Sequence, residues 1–328
     1  MTGYILRRVL YIIPLVIIIS IISFVIIQAP PGDFLSSQVE SLKQQYGSDA
    51  DMMIEAMRER YGLGEPLYKQ YFNWMWGIVT RGDFGYSFEE KRPVTDIIKA
   101  RIPITVGITL LTLSFTWIIG IPIGIYSAVK QHSIFDYIFT FLAFIGAATP
   151  NFLLALVLMF LTYNYLGWDV GGLMSLEFQG ASFSLAKLIN ILQHLILPVI
   201  VIGTAGTAGI VRTLRSMVLD ELGKQYVQTA RSKGITEKKV IWKHVFRVAI
   251  LPIVSTIGWV LPTLISGEVI TSIVLNLPTT GESMFRALEN QDMYVAGSFV
   301  LLLSTLTIIG TLISDILLAM IDPRIKYT

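Results

Sequence analysis

Six stretches of this chain carry no Asp, Glu, Lys or Arg and are long enough to cross a bilayer: Val9 to Ile27, Ile102 to Val129, Tyr137 to Leu166, Leu188 to Val211, Val248 to Gly267 and Met293 to Ser314. A hydrocarbon core of about 30 Å takes roughly 20 helical residues to span. With 53% hydrophobic and only 15% charged residues and a mean hydropathy of +0.65, the chain is too apolar for a soluble domain of ordinary composition. The expected fold is therefore all-α, a polytopic membrane protein with six transmembrane helices. The first run is read as a span and not a cleaved leader. It exceeds the usual length of a leader's apolar region, and no small-x-small site follows Gln28.

Basic residues near the span ends set the orientation, counted over short loops. Arg7, Arg8, Lys130, the nine basic residues from Arg212 to Arg247, Arg324 and Lys326 lie on one side, whereas the short loops opposite hold only Lys187 and Arg286. Both termini and the 212–247 loop are thus expected in the cytoplasm. The net charge of +2 is a topology signal and says nothing about nucleic acid; membrane lipid is the expected surrounding, and no nucleic-acid partner is expected. The organisation that follows is an N-terminal span (1–28), an external insert (29–101) and a five-helix core (102–328) with its cytoplasmic loop.

The insert carries nine basic and eleven acidic residues and reads as a small folded unit. Met52 to Tyr61 has helical composition, punctuated by Gly62 and Gly64. Tyr68, Tyr71, Phe72, Trp74 and Trp76 form an aromatic cluster that suits either an interfacial belt or a landing surface for an external partner. Within the spans, Pro103, Pro122, Pro150, Pro198, Pro252 and Pro262 each remove a backbone donor, which membrane helices tolerate where neighbours or a cavity satisfy the freed carbonyls. Gly203, Gly206 and Gly209, interleaved with Ala205 and Ala208, give the fourth span a smooth face for close packing or for lining a pathway. No charge sits in any of the six runs. A carrier coupled to protons or ions usually keeps ionisable groups at mid-depth, so energy is expected from elsewhere.

Catalytic and cofactor signatures are missing from the sequence. Gly223-Lys224 is followed by Gln225 and lacks the upstream Gly of a phosphate-binding loop. His132, His194 and His244 have no metal-ligand spacing, no Gly-x-Ser-x-Gly elbow occurs, and the absence of cysteine excludes thiolate chemistry. The chain is expected to be neither an enzyme nor a cofactor or metal carrier.

Between Arg212 and Arg247 the pattern turns amphipathic. Leu219, Leu222, Tyr226 and Ala230 recur at helical spacing on one face, with Glu221, Gln225, Gln228 and Ser232 on another. The spacing predicts a short surface helix stopped at Gly234 with Lys233 in its last turn. A second helix then starts at Glu237 behind an N-cap at Thr236, enters the bilayer near Val248 and is kinked at Pro252. Such a helix-Gly-helix, held at both ends by spans, reads either as an ordinary basic loop or as an element that transmits a push.

The string Tyr226-Val227-Gln228-Thr229-Ala230-Arg231-Ser232-Lys233-Gly234, closed by Ile250-Leu251-Pro252, resembles the loop signature of permease subunits of binding-protein-dependent ABC importers. Its longer gap from Gly to Pro is similar to that of the peptide/nickel subfamily. Arg7-Arg8, Ile13-Pro14, Pro31-Gly32-Asp33, Gly82-Asp83-Phe84-Gly85-Tyr86-Ser87, Pro93-Val94, Gly120-Ile121-Pro122-Ile123-Gly124 and Asp322-Pro323-Arg324-Ile325-Lys326-Tyr327 extend the likeness nearly end to end, to the B-type permeases of dipeptide and oligopeptide importers. The resemblance implies a type I importer permease fold in a prokaryotic inner membrane. It also implies a second homologous permease as heterodimer partner, two ATPase subunits that bind the ATP and Mg, and an external substrate-binding protein. By the same analogy the loop helix is a coupling helix that docks an ATPase through Tyr226, Gln228, Thr229, Ala230, Arg231, Lys233 and Gly234. The segment after the fifth span departs from the subfamily, with Ser272 at an acidic position and Leu275-Asn276-Leu277-Pro278-Thr279-Thr280-Gly281 in place of an aromatic, Gly-rich run. Glu268, Asn276, Pro278, Thr279 and Thr280 are its external-gate candidates. The cargo expected is di- or oligopeptide, with oligosaccharide as the alternative, and an autonomous channel or secondary carrier is the reading from another class.

Overall fold

Apolar runs fold as helices here because a helix satisfies every backbone donor and acceptor within its own segment. The structure, a computed structural model, describes residues 2–28, 55, 65–87, 89–168, 171–256 and 269–321. Among these, four helices are long and apolar enough to cross a membrane: Leu10–Gln28 within α1 (Thr2–Gln28), α3 (Val94–Val129), α6 (Leu185–Leu222), and Met293–Leu318 within the last helix (Met293–Ile321). At 1.5 Å per residue, α3 and α6 are each about 55 Å long and outreach the hydrocarbon thickness.

The run from Tyr137 to Leu166, expected as one span, is two helices. α4 (Ile134–Ala148) meets α5 (Asn151–Leu161), which a π turn continues to Leu166, at an angle of 106°. Pro150 is the cause, because its ring forces the preceding residue out of the helical region. Thr149 is accordingly extended, with φ −84° and ψ 122°. Pro14 and Pro198 stay inside α1 and α6. The spans thus number four among the described residues, or five if the bent pair is one. Residues 257–267 of the run from Val248 to Gly267, with Pro262, lie outside the described residues.

The chain divides into two compact units. One draws on Leu6–Ile104 and Thr279–Leu306. Here α1 packs with α2 (Leu67–Arg81) around Phe24, Ile27, Trp74, Val94, Ile97 and Phe299. The aromatic cluster divides between two environments. Trp74 is buried and donates Nε1–H to Phe84 O at 3.2 Å, and the Tyr71 hydroxyl shares a 2.7 Å hydrogen bond with Ser20. Tyr68, Phe72 and Trp76 are exposed. After α2 the motif from Gly82 to Ser87 forms a turn and then a two-residue hairpin, in which β1 (Tyr86–Ser87) pairs antiparallel with β2 (Arg92–Pro93) directly before α3. Ser87 Oγ donates to Asp292 Oδ2 at 2.5 Å, and Glu89 N–H reaches the same oxygen at 3.4 Å. The helical expectation for Met52 to Tyr61 falls outside the described residues except at Glu55.

The other unit is built on Thr105–Pro278. Two of the three glycines on α6 are packing positions. A Cβ on Gly203 would come within 2.6 Å of the Phe115 ring, and one on Gly206 within 3.3 Å of Thr116, whereas Gly209 faces open space. Close approach of α3 and α6 therefore depends on Gly203 above all. Farther along the chain, Ser314 Oγ donates to the carbonyls of Val254 and Ser255 at 3.0 and 3.2 Å.

Candidate functional site

The helix α6 stops at Leu222, and two residues later α7 (Gln225–Ser232) begins. The break at Gly223-Lys224 changes which side chains face inward. Tyr226, expected on the apolar face with Leu219 and Leu222, is 39% exposed, and its hydroxyl donates to Glu221 Oε2 at 2.5 Å. Val227 and Ala230 are the buried pair instead. They sit on a core of Ile125 and Ala128 from α3, Leu214 and Val218 from α6, and Val240, Val245 and Ala249 from the segment that follows.

Gly234 ends α7 as expected. Its φ of +72° is left-handed backbone, which costs a residue with a Cβ about 1–2 kcal/mol. Gly234 N–H donates to Arg231 O at 2.9 Å and Ile235 N–H to Ala230 O at 3.3 Å, the two bonds of a Schellman stop. Thr236 then precedes α8 (Glu237–Lys239) in extended conformation but makes no side-chain cap. The helix continues as a π turn (Val240–Val245) and α9 (Phe246–Ala249), and is helical again at 251–256. The π turn places Val240, Ile241 and Val245 on the core under α7.

An ion pair closes the turn between the two helices. Arg231 Nε donates to Glu237 Oε2 at 3.0 Å and Nη2 to Oε1 at 2.6 Å. These bonds hold the Glu237 carboxyl below its ordinary range and push the guanidinium higher. Both side chains are about half exposed, so the pair fixes geometry more than it adds stability. The outward face of α7 is then polar: Gln225, Gln228 and Thr229 are exposed, as are Lys233 and Gly234, and nothing lies within 4 Å of a Cβ placed on Gly234. Of the expected docking residues, six lie on the exposed side and one, Ala230, supports them from beneath.

The described gate candidates divide between exposed and buried positions. Glu268 lies outside the described residues. Asn276 is exposed with φ +53°, just after Leu275, whose carbonyl accepts from Gly172 N–H at 2.8 Å. Leu275 ends the short helix α10 (Val269–Val274), on which Ser272 is buried. Pro278 is half-buried. Thr279 is buried and caps α11 (Thr280–Glu289) by accepting from Glu282 N–H at 3.4 Å, and Thr280 is the buried first residue of that helix. Thr279 is thus a capping residue in this structure.

One buried pair near the loop escapes sequence reasoning. Asp136, in the first turn of α4 and 1% exposed, accepts from Arg215 of α6 through Nε at 2.8 Å and Nη2 at 2.9 Å. The same carboxylate accepts from His132 N–H at 3.0 Å, and Ser133 Oγ caps the helix. The pair joins residues 79 positions apart, a separation for which no periodicity gives a signal. Only the N-cap Ser133 with Asp136 three residues on could have drawn attention to it.

Long apolar helices joined by a supported polar loop define a polytopic membrane protein. Residues 120–327 match the family described as binding-protein-dependent transport system inner membrane component, and residues 1–109 match the N-terminal family of the same transport system membrane components. The chain belongs to this family of inner-membrane permeases. Over 329 residues it is 38% identical to the oligopeptide transport system permease protein AppB of Bacillus subtilis, covering 100% of both chains. It is 32% identical over 345 residues to the dipeptide transport system permease protein DppB of Escherichia coli K12, covering 100% of this chain and 99% of the relative. The oligopeptide transport system permease protein OppB of Haemophilus influenzae is 32% identical over the full length of both.

Proposed function

We propose that this chain is one of two permease subunits of an ATP-driven importer of di- or oligopeptides. It forms half of the translocation pathway, and a second homologous permease forms the rest. An external binding protein delivers cargo, and two ATPase subunits carry the ATP and Mg, so the chain itself performs no catalysis. Both termini and the 212–247 loop face the cytoplasm, in line with the Lys and Arg distribution. The observation that carries the reading is α7, with Val227 and Ala230 buried and Gln228, Thr229, Lys233 and Gly234 presented outward. A helix so held moves with α6 and the 237–256 segment, and a push on its face reaches the spans. The full-length likeness to relatives named as peptide permeases supports the cargo class.

The test uses the complete transporter in proteoliposomes with its binding protein. Gly234→Trp places a large ring on a face that is open in the isolated chain. The expected result is ATP hydrolysis no longer matched by peptide uptake, or loss of ATPase attachment. Unchanged coupled uptake would sink the docking role, and uptake by the chain without ATPases would make it an autonomous carrier. Calorimetry of the binding protein with peptides and with oligosaccharides separates the two cargo classes.

A further inference from the structure

Between α3, α4 and α6 lies a cavity of about 220 Å³. Its walls are Phe115 and Ile123 of α3, Phe139 and Ala143 of α4, and Ala208 and Val211 of α6, and at its rim Leu142 is 55% exposed. An apolar cavity of about 150 Å³ already suffices to take up benzene and stays dry. The only hydroxyls in the lining are those of Thr204 and Thr207. Both donate to carbonyls of their own helix, Ile200 O at 2.6 Å and Gly203 O at 2.7 Å. A peptide or sugar would therefore lose its hydrogen bonds to water on entry and find only two hydroxyl oxygens as acceptors and no free donor in the lining. The chemistry of this cavity suits hydrocarbon.

One end of the cavity is not neutral. Arg212 follows Val211 directly, and its guanidinium lies 5.8 Å from the centroid of the Phe144 ring on α4. Among the described residues that ring is its only partner, whereas Arg215 one turn on is committed to Asp136. From Thr204 to Val211 the helix rises about 10 Å, so an apolar cleft about 10 Å long is followed on α6 by a cation that has no anion partner among the described residues. We propose that the cleft holds an acyl chain of an anionic phospholipid whose phosphate pairs with Arg212. Basic sites beside clefts between membrane helices hold such headgroups by charge, and the aromatic ring under the guanidinium keeps the cation in place.

Native mass spectrometry of the full chain in detergent, supplied with phosphatidylglycerol or phosphatidylcholine of the same acyl chains, tests this. Phosphatidylglycerol adducts are expected to be retained about fivefold better, the ratio one added cation contributes near a headgroup. Arg212→Gln should remove that preference and Arg212→Lys keep it. Ala143→Leu, which fills the cleft, should lower retention of both lipids, and thermal unfolding shows whether that variant is folded. Thermal stabilisation of the natural chain by phosphatidylglycerol over phosphatidylcholine gives a second readout. Equal retention of the two lipids, or adducts unchanged in Arg212→Gln or in a folded Ala143→Leu, overturns the proposal.

Discussion

Two aspartates, each at the start of a long helix and each at most 2% exposed, meet opposite fates. Asp136 opens α4 and is matched by a guanidinium in bidentate geometry. Asp292 precedes α12 (Met293–Ile321) and, among the described residues, has no cation on its carboxylate, only the Ser87 hydroxyl and the backbone amides of Glu89 and Val295. Burial pushes the Asp292 carboxyl above its ordinary range, against the lowering effect of those hydrogen bonds. The difference teaches that the loop-bearing region holds its parts with charge, whereas the hairpin region holds them with a carboxyl driven toward its neutral form.

The sharpest way to break the comparison is Arg215→Met. The Asp136 carboxylate would lose its cation while remaining buried, and stability should fall by about 3 kcal/mol. That is the low end for a broken buried pair, because the Arg215 side chain is 27% exposed. Thermal unfolding in detergent measures it, and Asp136→Leu added to Arg215→Met should restore most of the loss. Next in size is Gly234→Val, expected to lose about 1–2 kcal/mol from left-handed backbone alone. Gly234→Asn should lose much less, since asparagine tolerates that conformation.

Asp292→Asn should act in the opposite sense to the Arg215 change, raising stability at neutral pH by on the order of 1 kcal/mol. The sign follows from the raised folded pKa. The contribution of Asp292 is present below its ordinary value of 3.8 and lost as pH rises through the folded value. The gain in the Asn variant should accordingly vanish in acid, and a gain that is equal at every pH would overturn the assignment. Smallest is the Arg231–Glu237 pair, for which a double-mutant cycle should give about 0.2–1 kcal/mol, reduced by salt. Because the folded Glu237 pKa is lowered, that coupling is present above its ordinary 4.5 and lost as pH falls through the folded value.

Much of the architecture was legible because membrane helices announce themselves by apolar length. α1, α3, α6 and α12 fall where uncharged runs predict them, and the Gly234 stop falls where a Gly after a basic turn predicts it. The bend at Pro150 was not legible, since the same proline chemistry leaves α6 continuous at Pro198, and neighbouring packing decides between the two. The inward face of α7 was misread at Tyr226 because the helical spacing was carried across Gly223-Lys224, where the chain changes direction. Neither aspartate's partner could be found from pattern, as Arg215 and Ser87 lie 79 and 205 residues away along the chain.

The sealed underside of α7 has a kinetic consequence. Fixing eight backbone residues costs about 1–2 kcal/mol each, and here that ordering accompanies the folding of the chain itself, which buries Val227 and Ala230 on the core. Any protein that lands on the helix encounters a surface already in its bound shape, so association proceeds without a slow ordering step and a small footprint suffices. Amide hydrogens of α7 should then exchange slowly before any partner arrives, as expected of an ordered element and not of a tether.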